Sequence, residues 1–337
     1  MYEFDAADVG KSYIYPVIAR SFREAGIQIG THFAYDPTFL APFNTEYNTH
    51  YMNLNYAPQK ALALKISSEV FHEIPMYSDF GMYPENTSFG DFRVDYKNDL
   101  AEYNSDSKFI YTNSTNTSVK NEEKLKEIAG FGNSSVIRYD GLGAYFLDKI
   151  AKGVWRLEVM PDAVWVSNLF GRNSQSKKVA VVNWETHVMH INLKDLGEGF
   201  NIEAINEGNE FISEVNNDTF QIRPGTYIVS KKGIQKKWSE TDDFKANKLY
   251  DFYAPEPNVG QLYFLHEPAK VISENNELVI EVQCIDSEIP EELMLTGSNN
   301  GVYFNVKFDY VGNYKYKAII DPKFLQKGFL NYNIIVK

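Results

Sequence analysis

The first 85 residues alternate between strand-like and helix-like hydrophobic patterns. The run "MYEFD" places Tyr2 and Phe4 on one face and Glu3 and Asp5 on the other, as in a β-strand. The run "SYIYPVIARSFREAG" has apolar positions at helical spacing and stops at Gly26. A second strand, "IQIGTHFAYDP", and a second helix, "APQKALALKISSEVFHEI" with one apolar stripe, follow.

The order strand–helix–strand–helix predicts parallel strands joined by helical crossovers. Two such strands cannot bury both of their faces, and a closed (β/α)8 barrel takes roughly 200 residues or more. The pattern therefore predicts that residues 1–85 are the last two βα units of a partial (β/α)8 barrel, with Met1 inside that domain. It also predicts association with a separate, N-terminal portion of the barrel.

From residue 86 the pattern changes to short strands. The stretch "GDFRVDYKNDLAEYNSDSKFIYTNSTNTS" is polar, and its Asn/Ser/Thr tract predicts an exposed loop. A short helix is expected at "NEEKLKEIAGFG". Nine strand-like runs with turn signals between them follow: "SVIRYDG", "AYFLDKI", "VWRLEVM", "DAVWVSN", "KVAVVNW", "VMHINL", "FNIEAIN", "FISEVN" and "TYIVSKK". This spacing predicts an antiparallel β-sandwich over residues 86–234.

The remainder of the chain predicts a linker and a second β domain. "KKWSETDDFKANKLYDFYAPEPN" is charged and contains two prolines, so residues 235–258 are expected to be a linker. Residues 259–337 alternate clearly in "YKYKAII" and "LNYNIIV" and have the length of an immunoglobulin-like module. The predicted fold class is multidomain and mostly β: a partial (β/α)8 barrel, an antiparallel β-sandwich and a C-terminal immunoglobulin-like sandwich.

Charge and aromatic content narrow the range of partners. The 337 residues carry a formal net charge of −12, which argues against nucleic acid or an anionic membrane surface as a partner. No apolar run approaches the ~20 residues that a membrane span requires, so no membrane insertion is expected. The 23 Tyr and 23 Phe suit β-sandwich cores and also sugar-binding clefts. A neutral carbohydrate is therefore a compatible partner.

The sequence offers no motif for a cofactor or a metal. Neither a phosphate-binding glycine loop nor a dinucleotide-binding or nucleophile-elbow motif occurs. His187 and His190 point to opposite faces if "HVMH" is a strand, which argues against chelation. The single cysteine, Cys284, lies in an alternating strand-like run and is expected to be a small buried hydrophobe.

Glu3 and Asp5 are the first candidates for chemistry. At the carboxyl end of a barrel strand their side chains would point into an active-site mouth, and glycoside hydrolysis uses a pair of carboxylates. Glu3 could equally belong to a frayed terminus or pair with a basic residue. His32, Tyr35 and Asp36 end the next strand, where they could bind sugar hydroxyls or orient a carboxylate, although a histidine at a strand end is also commonly structural.

The loop "NTEYNTHYMNLNY" adds Asn44, Glu46, Tyr47, His50 and Tyr51. Polar groups interleaved with aromatic rings suit a carbohydrate cleft, in which rings stack on sugar faces and polar groups bind hydroxyls. They suit equally an ordered loop that covers a barrel rim.

Three stretches together resemble the C-terminal portion of bacterial clan A type (β/α)8-barrel glycoside hydrolases with trailing β-sandwich and immunoglobulin-like domains. They are "YEFDAADVGKSYIYPVIARSFREAGIQIGTHFAYDP", "NTEYNTHYMNLNYAPQKAL" and "GLGAYFLDKIAKGVWRLEVMPDAVWV". In that family the nucleophilic glutamate lies at the tip of the seventh barrel strand and the acid/base glutamate at the tip of the fourth. The resemblance implies that Glu3 is the nucleophile. It further implies that the substrate-binding residues are Asp5, His32, Tyr35, Asp36, Glu46, Tyr47 and His50.

The resemblance implies retaining cleavage of a polysaccharide or oligosaccharide, without a cofactor, by a secreted, periplasmic or cell-surface enzyme. The acid/base strand has no counterpart in this chain, so the chain alone is expected to be inactive. The alternative is a non-catalytic carbohydrate-binding or structural β-sandwich protein. Its binding site would use Tyr303, Phe304 or Tyr310, three aromatic residues that could equally fill the core of the last domain.

Overall fold

The computed structural model describes residues 1, 3–6, 10–44, 51–83, 85–168, 173–234, 237–273, 276–287 and 290–337. The chain is mostly β, as predicted, and forms several sheets. It divides into two compact units, Met1–Pro257 and Asn258–Lys337.

The first unit contains two α-helices, a short 3₁₀ helix and sixteen strands among its described residues. The helices are α1 (Ile14–Glu24), α2 (Pro58–Glu73) and the 3₁₀ turn Ala41–Phe43. The strands are β1 (Ser88–Phe89), β2 (Phe92–Asp95), β3 (Leu100–Asn104), β4 (Lys108–Tyr111), β5 (Glu127–Gly130), β6 (Ile137–Tyr139), β7 (Tyr145–Ala151), β8 (Val154–Val159), β9 (Asp162–Trp165), β10 (Ala180–Asn183), β11 (His187–Ile191), β12 (Asn201–Ala204), β13 (Thr219–Ile222), β14 (Gly225–Ser230), β15 (Asp243–Phe244) and β16 (Asn247–Lys248).

Both helices predicted within residues 1–85 are confirmed. Helix α1 is followed by Gly26, whose φ of +77° is the left-handed conformation that ends a helix most easily with glycine. Helix α2 has Pro58 in its first turn and buries Leu62, Ile66 and Val70, the apolar stripe seen in the sequence.

A nine-stranded sheet in the order β1-β2-β3-β4-β5-β7-β8-β14-β12 is the centre of the first unit. Its neighbours are antiparallel except for the parallel pair β4 and β5. A three-stranded sheet, β13-β11-β6, lies against one face. The core between the two sheets includes Trp155 and Leu157 from the large sheet and Met189 and Ile222 from the small one.

The two helices cover the opposite face of the nine-stranded sheet. Ile66 and Val70 of α2 pack in one cluster with Phe92, Tyr103 and Ile110. On β4, Ile110 therefore faces the helices, while its neighbours Phe109 and Tyr111 face the three-stranded sheet. This is why the run "KFIY" is buried on both faces instead of showing the half-buried alternation of a surface sheet.

Two local predictions were wrong. The short helix expected in "NEEKLKEIAGFG" is instead turns followed by β5, which pairs with β4 on one side and with β7 on the other. The strand expected at "FISEVN" is irregular apart from a bridge at Asn216, and the strand that pairs with β11 is β13. In both cases the pairing available from distant strands overrode the local pattern.

The segment predicted as a linker lies against the large sheet over its described part. Arg156 of β8 donates hydrogen bonds to the carbonyl oxygens of Leu249 (2.9 Å) and Asp251 (2.7 Å). Its guanidinium lies 4.6 Å from the centre of the Phe244 ring. Leu249 itself is buried in a cluster with Ile228.

The second unit has two facing sheets. Its strands are β17 (Tyr263–Leu265), β18 (Leu278–Ile285), β19 (Leu293–Asn299), β20 (Val302–Lys307), β21 (Asp309–Gly312), β22 (Lys315–Ile320) and β23 (Leu330–Val336), with a 3₁₀ turn at Pro322–Phe324. The sheets have the orders β17-β18-β22-β21 and β20-β19-β23 and share one apolar core. Cys284 is buried in this core, as predicted, and burial raises the pKa of its thiol to about 11.

Candidate active site

The two N-terminal strand-like segments lie parallel to each other. The backbone N–H of Phe4 donates to the oxygen of Thr31 (2.9 Å), and the N–H of Phe33 donates to the oxygen of Phe4 (2.9 Å). Phe4 and His32 thus form a parallel bridge, with α1 between them in the sequence. The parallel arrangement is as predicted, but the pairing among the described residues is one bridge rather than two continuous strands.

A cluster of three side chains is assembled where these segments meet α1. The hydroxyl of Tyr15 donates to Asp5 Oδ1 (3.3 Å), and His32 Nε2 lies 3.5 Å from the same hydroxyl. His32 Nε2 also lies 3.9 Å from Asp5 Oδ1. The structure therefore brings together two predicted site residues, Asp5 and His32.

Tyr15 is the member of this cluster that the sequence did not reveal. It is fully buried, and burial together with the charge of Asp5 raises the pKa of its phenol far above the ordinary value. Tyr15 therefore remains a hydrogen-bond donor that fixes the Asp5 carboxylate. The only signal in the sequence was a tyrosine at the start of an amphipathic helix, a position that is usually part of the core.

Glu3 is exposed, in contrast to the cluster beside it. Among the described residues its carboxylate has no hydrogen bond and no ion pair. Because side chains alternate along an extended segment, Glu3 and Asp5 leave the backbone on the same side. The exposed Glu3 carboxylate is therefore on the same side of the backbone as the Asp5 carboxylate, which Tyr15 holds in place.

Asp36 and Tyr35 bind the backbone of residues 52–54. Asp36 is 2% exposed, and its Oδ2 accepts from the N–H of Met52 (2.5 Å). The Asp36 N–H donates to the oxygen of Met52 (2.7 Å). The hydroxyl of Tyr35, whose side chain is half exposed, accepts from the N–H of Leu54 (2.7 Å). These contacts position a loop, and the Asp36 charge also contributes to the raised pKa of Tyr15.

Three further predicted site residues, Glu46, Tyr47 and His50, lie outside the described residues. The described chain resumes at Tyr51, which is fully buried and lies 6.3 Å, ring centre to ring centre, from Trp165. Asp36 therefore holds Met52 in place, close in the sequence to these three residues.

A cavity of about 290 Å³ adjoins the cluster on the side of α2. Its walls include Phe4, Ile29, Leu64 and Phe71, and His32 supplies a polar edge. This volume is near the lower limit of small-molecule sites, which are typically about 300–1,000 Å³. Since most of the wall is apolar, hydrogen bonding to a ligand there would depend on a few groups such as His32.

A second cluster of titratable side chains surrounds His187 of β11. Its Nε2 lies 2.8 Å from Asp162 Oδ2, and its Nδ1 lies 3.4 Å from Asp140 Oδ1. Burial by itself lowers the pKa of His187, but the hydrogen bonds and charges of the two aspartates outweigh it and raise the pKa to about 9. Asp162 Oδ1 also accepts from the N–H of Leu142 (2.6 Å). These contacts join β11 to the chain before β7 and after β8, which is a structural role.

The aromatic residues of the alternative binding site divide between surface and core. Phe304 is buried in the core of the second unit. Tyr303 and Tyr310 are 79% and 59% exposed. The Tyr310 hydroxyl accepts from the N–H of Tyr314 (3.3 Å), and its ring lies 5.0 Å from that of Tyr316.

No protein-family model, no curated protein and no solved structure matches this chain. Within the described residues, neither α-helix is long and apolar enough to cross a membrane. The same residues contain no group of three or more His, Cys, Asp or Glu side chains arranged to hold a metal ion. The geometry around Asp5 and His32 and the resemblance noted in the sequence therefore carry the functional argument.

Proposed function

We propose that this chain is the C-terminal part of a retaining glycoside hydrolase that acts on a polysaccharide or oligosaccharide. Residues 1–85 would contribute the last two βα units of its (β/α)8 barrel. The observation that supports this best is the parallel bridge between Phe4 and His32 across α1, with Glu3 exposed beside the Asp5–Tyr15–His32 cluster. Catalytic side chains at the ends of parallel strands are the general arrangement of barrel enzymes.

In this proposal Glu3 is the nucleophile. Its carboxylate attacks the anomeric carbon as the bond to the leaving-group oxygen breaks, which gives a glycosyl ester, and water then hydrolyses that ester. The leaving group takes its proton from a second carboxylic acid about 5 Å from the first. Asp5 is a poor choice for that acid, because its carboxylate already accepts a hydrogen bond from Tyr15.

The other residues bind or position the substrate. Asp5 and His32, joined through Tyr15, present a fixed carboxylate and an imidazole to sugar hydroxyls. Tyr35 offers a half-exposed ring to a sugar face. Asp36 positions residues 52–54 and so acts indirectly. Glu46, Tyr47 and His50 are the remaining substrate-binding residues of this proposal.

The nucleophile can be tested without the acid/base residue. A 2-deoxy-2-fluoroglycosyl fluoride carries a leaving group that needs no protonation, so a competent nucleophile alone should form a covalent adduct. The purified chain is incubated with a panel of such fluorides that differ in sugar configuration, digested, and mapped by mass spectrometry. Glu3→Gln is the test variant, and Glu73→Gln, at the end of α2, is the matched control.

We expect one adduct with one sugar configuration, on the peptide that contains Glu3. The adduct should be absent from Glu3→Gln and unchanged in Glu73→Gln. An adduct that survives Glu3→Gln, or the absence of an adduct with every member of the panel, would contradict the assignment of Glu3.

A further inference from the structure

Two rows on the outer face of the sheet β20-β19-β23 consist of uncharged polar side chains. The adjoining row on that face is Met294, Lys307 and Ile335. Ser298 of β19 pairs with Tyr303 of β20 and with Asn331 of β23, so these three side chains form one row across the sheet. Thr296, Asn305 and Asn333 form the next row in the same way. We call these two rows the amide face; it consists of Thr296, Ser298, Tyr303, Asn305, Asn331 and Asn333.

The amide face points away from the core. The residues that alternate with it, such as Leu295, Phe304 and Ile334, pack in the interior of the second unit. Tyr303 is 79% exposed, and the three asparagines are exposed as well. Among the described residues, the structure records no side-chain hydrogen bond for any of the six. Their hydroxyl and amide groups are therefore available to a ligand.

The other sheet of the same unit has a different outer face. There Glu281 pairs with Lys317, Lys317 pairs with Asp309, and Gln283 pairs with Lys315. Charged residues thus occupy the central rows of that face, whereas the six residues of the amide face carry no charge and Lys307 lies in the adjoining row of their sheet. In a chain with a net charge of −12, this face is a local exception.

The dimensions and edges of the amide face suit an extended ligand. Neighbouring strands lie about 4.8 Å apart and alternate residues about 7 Å apart, so the two rows cover roughly 10 Å by 7 Å. Tyr303 stands at one corner. Phe329, which is 87% exposed, immediately precedes β23 at the same end of the sheet, where Asn299 Nδ2 donates to its carbonyl oxygen (3.0 Å).

We propose that the amide face binds a neutral polysaccharide chain. The apolar face of a sugar ring packs on Tyr303, and hydroxyl groups exchange hydrogen bonds with the asparagine, serine and threonine side chains. A protein partner fits less well, because interface cores are enriched in apolar groups, and nucleic acid would require cations to meet its phosphates. The ligand class agrees with the proposed substrate, but this inference depends only on the second unit.

Affinity electrophoresis of the full chain tests the proposal. The gels contain a soluble neutral polysaccharide (a mixed-linkage glucan, xylan, galactomannan or starch) or the acidic polymer polygalacturonate, and each is run at low and high salt. The test variants are Tyr303→Ala, Tyr303→Phe and Asn331→Ala. The matched control is Tyr253→Ala, which removes another exposed tyrosine, from the first unit.

We expect at least one neutral polysaccharide to retard the chain to the same extent at both salt concentrations. Loss of one stacked ring should weaken binding about three- to tenfold in Tyr303→Ala. Tyr303→Phe should keep most of the affinity, and Tyr253→Ala should keep all of it. Asn331→Ala, which leaves the ring in place, should weaken binding by a smaller factor.

Four results would overturn the proposal. They are retention by the acidic polymer alone, no retention by any neutral polymer, wild-type retention of Tyr303→Ala, and a dimer of the chain that Tyr303→Ala dissociates. Glu3→Gln separates this proposal from the enzymatic one. Retention that Glu3→Gln abolishes and Tyr303→Ala does not would place the sugar site in the first unit, whereas failure to label Glu3 leaves the amide face unaffected.

Discussion

His187 should make the stability of the first unit depend on alkaline pH. Its imidazole lies between Asp162, whose side chain is fully buried, and Asp140, whose side chain is largely exposed. Because the pKa of His187 is raised in the folded chain, the folded chain binds the proton more tightly than the unfolded chain does. Protonation of His187 therefore stabilises the fold. This contribution is fully present below the unfolded pKa of 6.5 and is lost as the pH rises through about 9.

The size of the effect follows from the pKa values. Each pKa unit corresponds to about 1.4 kcal/mol, so a rise from 6.5 to about 9 is worth about 3 kcal/mol. The His187 side chain is only 13% exposed, so solvent screening removes little of this energy. A contribution of about 3 kcal/mol is a substantial part of the 5–15 kcal/mol by which domains are typically stable.

Urea unfolding at a series of pH values from 6 to 10 measures the effect. The chain is compared with His187→Gln, since glutamine keeps a hydrogen-bond donor near Asp162 but does not titrate. Tryptophan fluorescence reports on the first unit, whose core contains Trp155. The difference in unfolding free energy between the two proteins should shrink by about 3 kcal/mol between pH 6 and pH 10.

His190→Gln is the matched control, because His190 lies on the same strand but contacts the Thr219 hydroxyl (3.0 Å) instead of a carboxylate. His190→Gln should still lose stability between pH 6 and pH 10, because it keeps the contacts of His187 with Asp140 and Asp162. A difference between the chain and His187→Gln that stays constant from pH 6 to pH 10, or that grows with pH, would refute the ion-pair reasoning.

Two further predictions concern buried groups. Arg20, whose side chain is fully buried, pairs with Glu24 (2.7 Å) and donates to the oxygen of Asn86 (2.8 Å), so Arg20→Met should lower the unfolding free energy by about 3 kcal/mol in urea titrations. The exposed ion pair between Lys124 and Asp106 provides the control, and Lys124→Met should change the unfolding free energy by less than about 1 kcal/mol. Equal effects of the two substitutions would contradict the burial argument. Cys284, with its pKa raised to about 11, should resist a thiol-specific disulfide reagent in the native chain at pH 8 and react fully in denaturant; rapid native labelling would show that its strand opens.

Local pattern was sufficient for elements that carry their own periodicity. Helix α2 followed from the stripe of Leu62, Ile66 and Val70, and strands β7 and β8 followed from alternation bounded by turns. These signals are local because a helix or a half-buried strand must place its apolar residues on one face wherever it packs. The parallel direction of the two N-terminal segments was also predicted, since a strand–helix–strand order favours parallel neighbours.

Tertiary structure decided the elements whose partners are distant in the sequence. Residues 127–130 became β5 because β4 and β7 offered hydrogen bonds on both sides, which outweighed a helical local pattern. Alternation showed that Tyr303 and Phe304 point to opposite faces, but it did not show which face is buried. That depended on the second sheet, which covers the side of Phe304.

The candidate sites show the same division. The sequence identified Asp5 and His32 as polar residues near strand ends, and only the fold added the buried hydroxyl of Tyr15 between them. The local sequence also gave no sign of the partners of His187. Asp162 is 25 residues away and lies on β9, in a different sheet from β11. The sequence by itself determined which residues alternate, stack or carry charge, whereas the tertiary structure decided which of them meet, because burial and electrostatic coupling depend on distances in space.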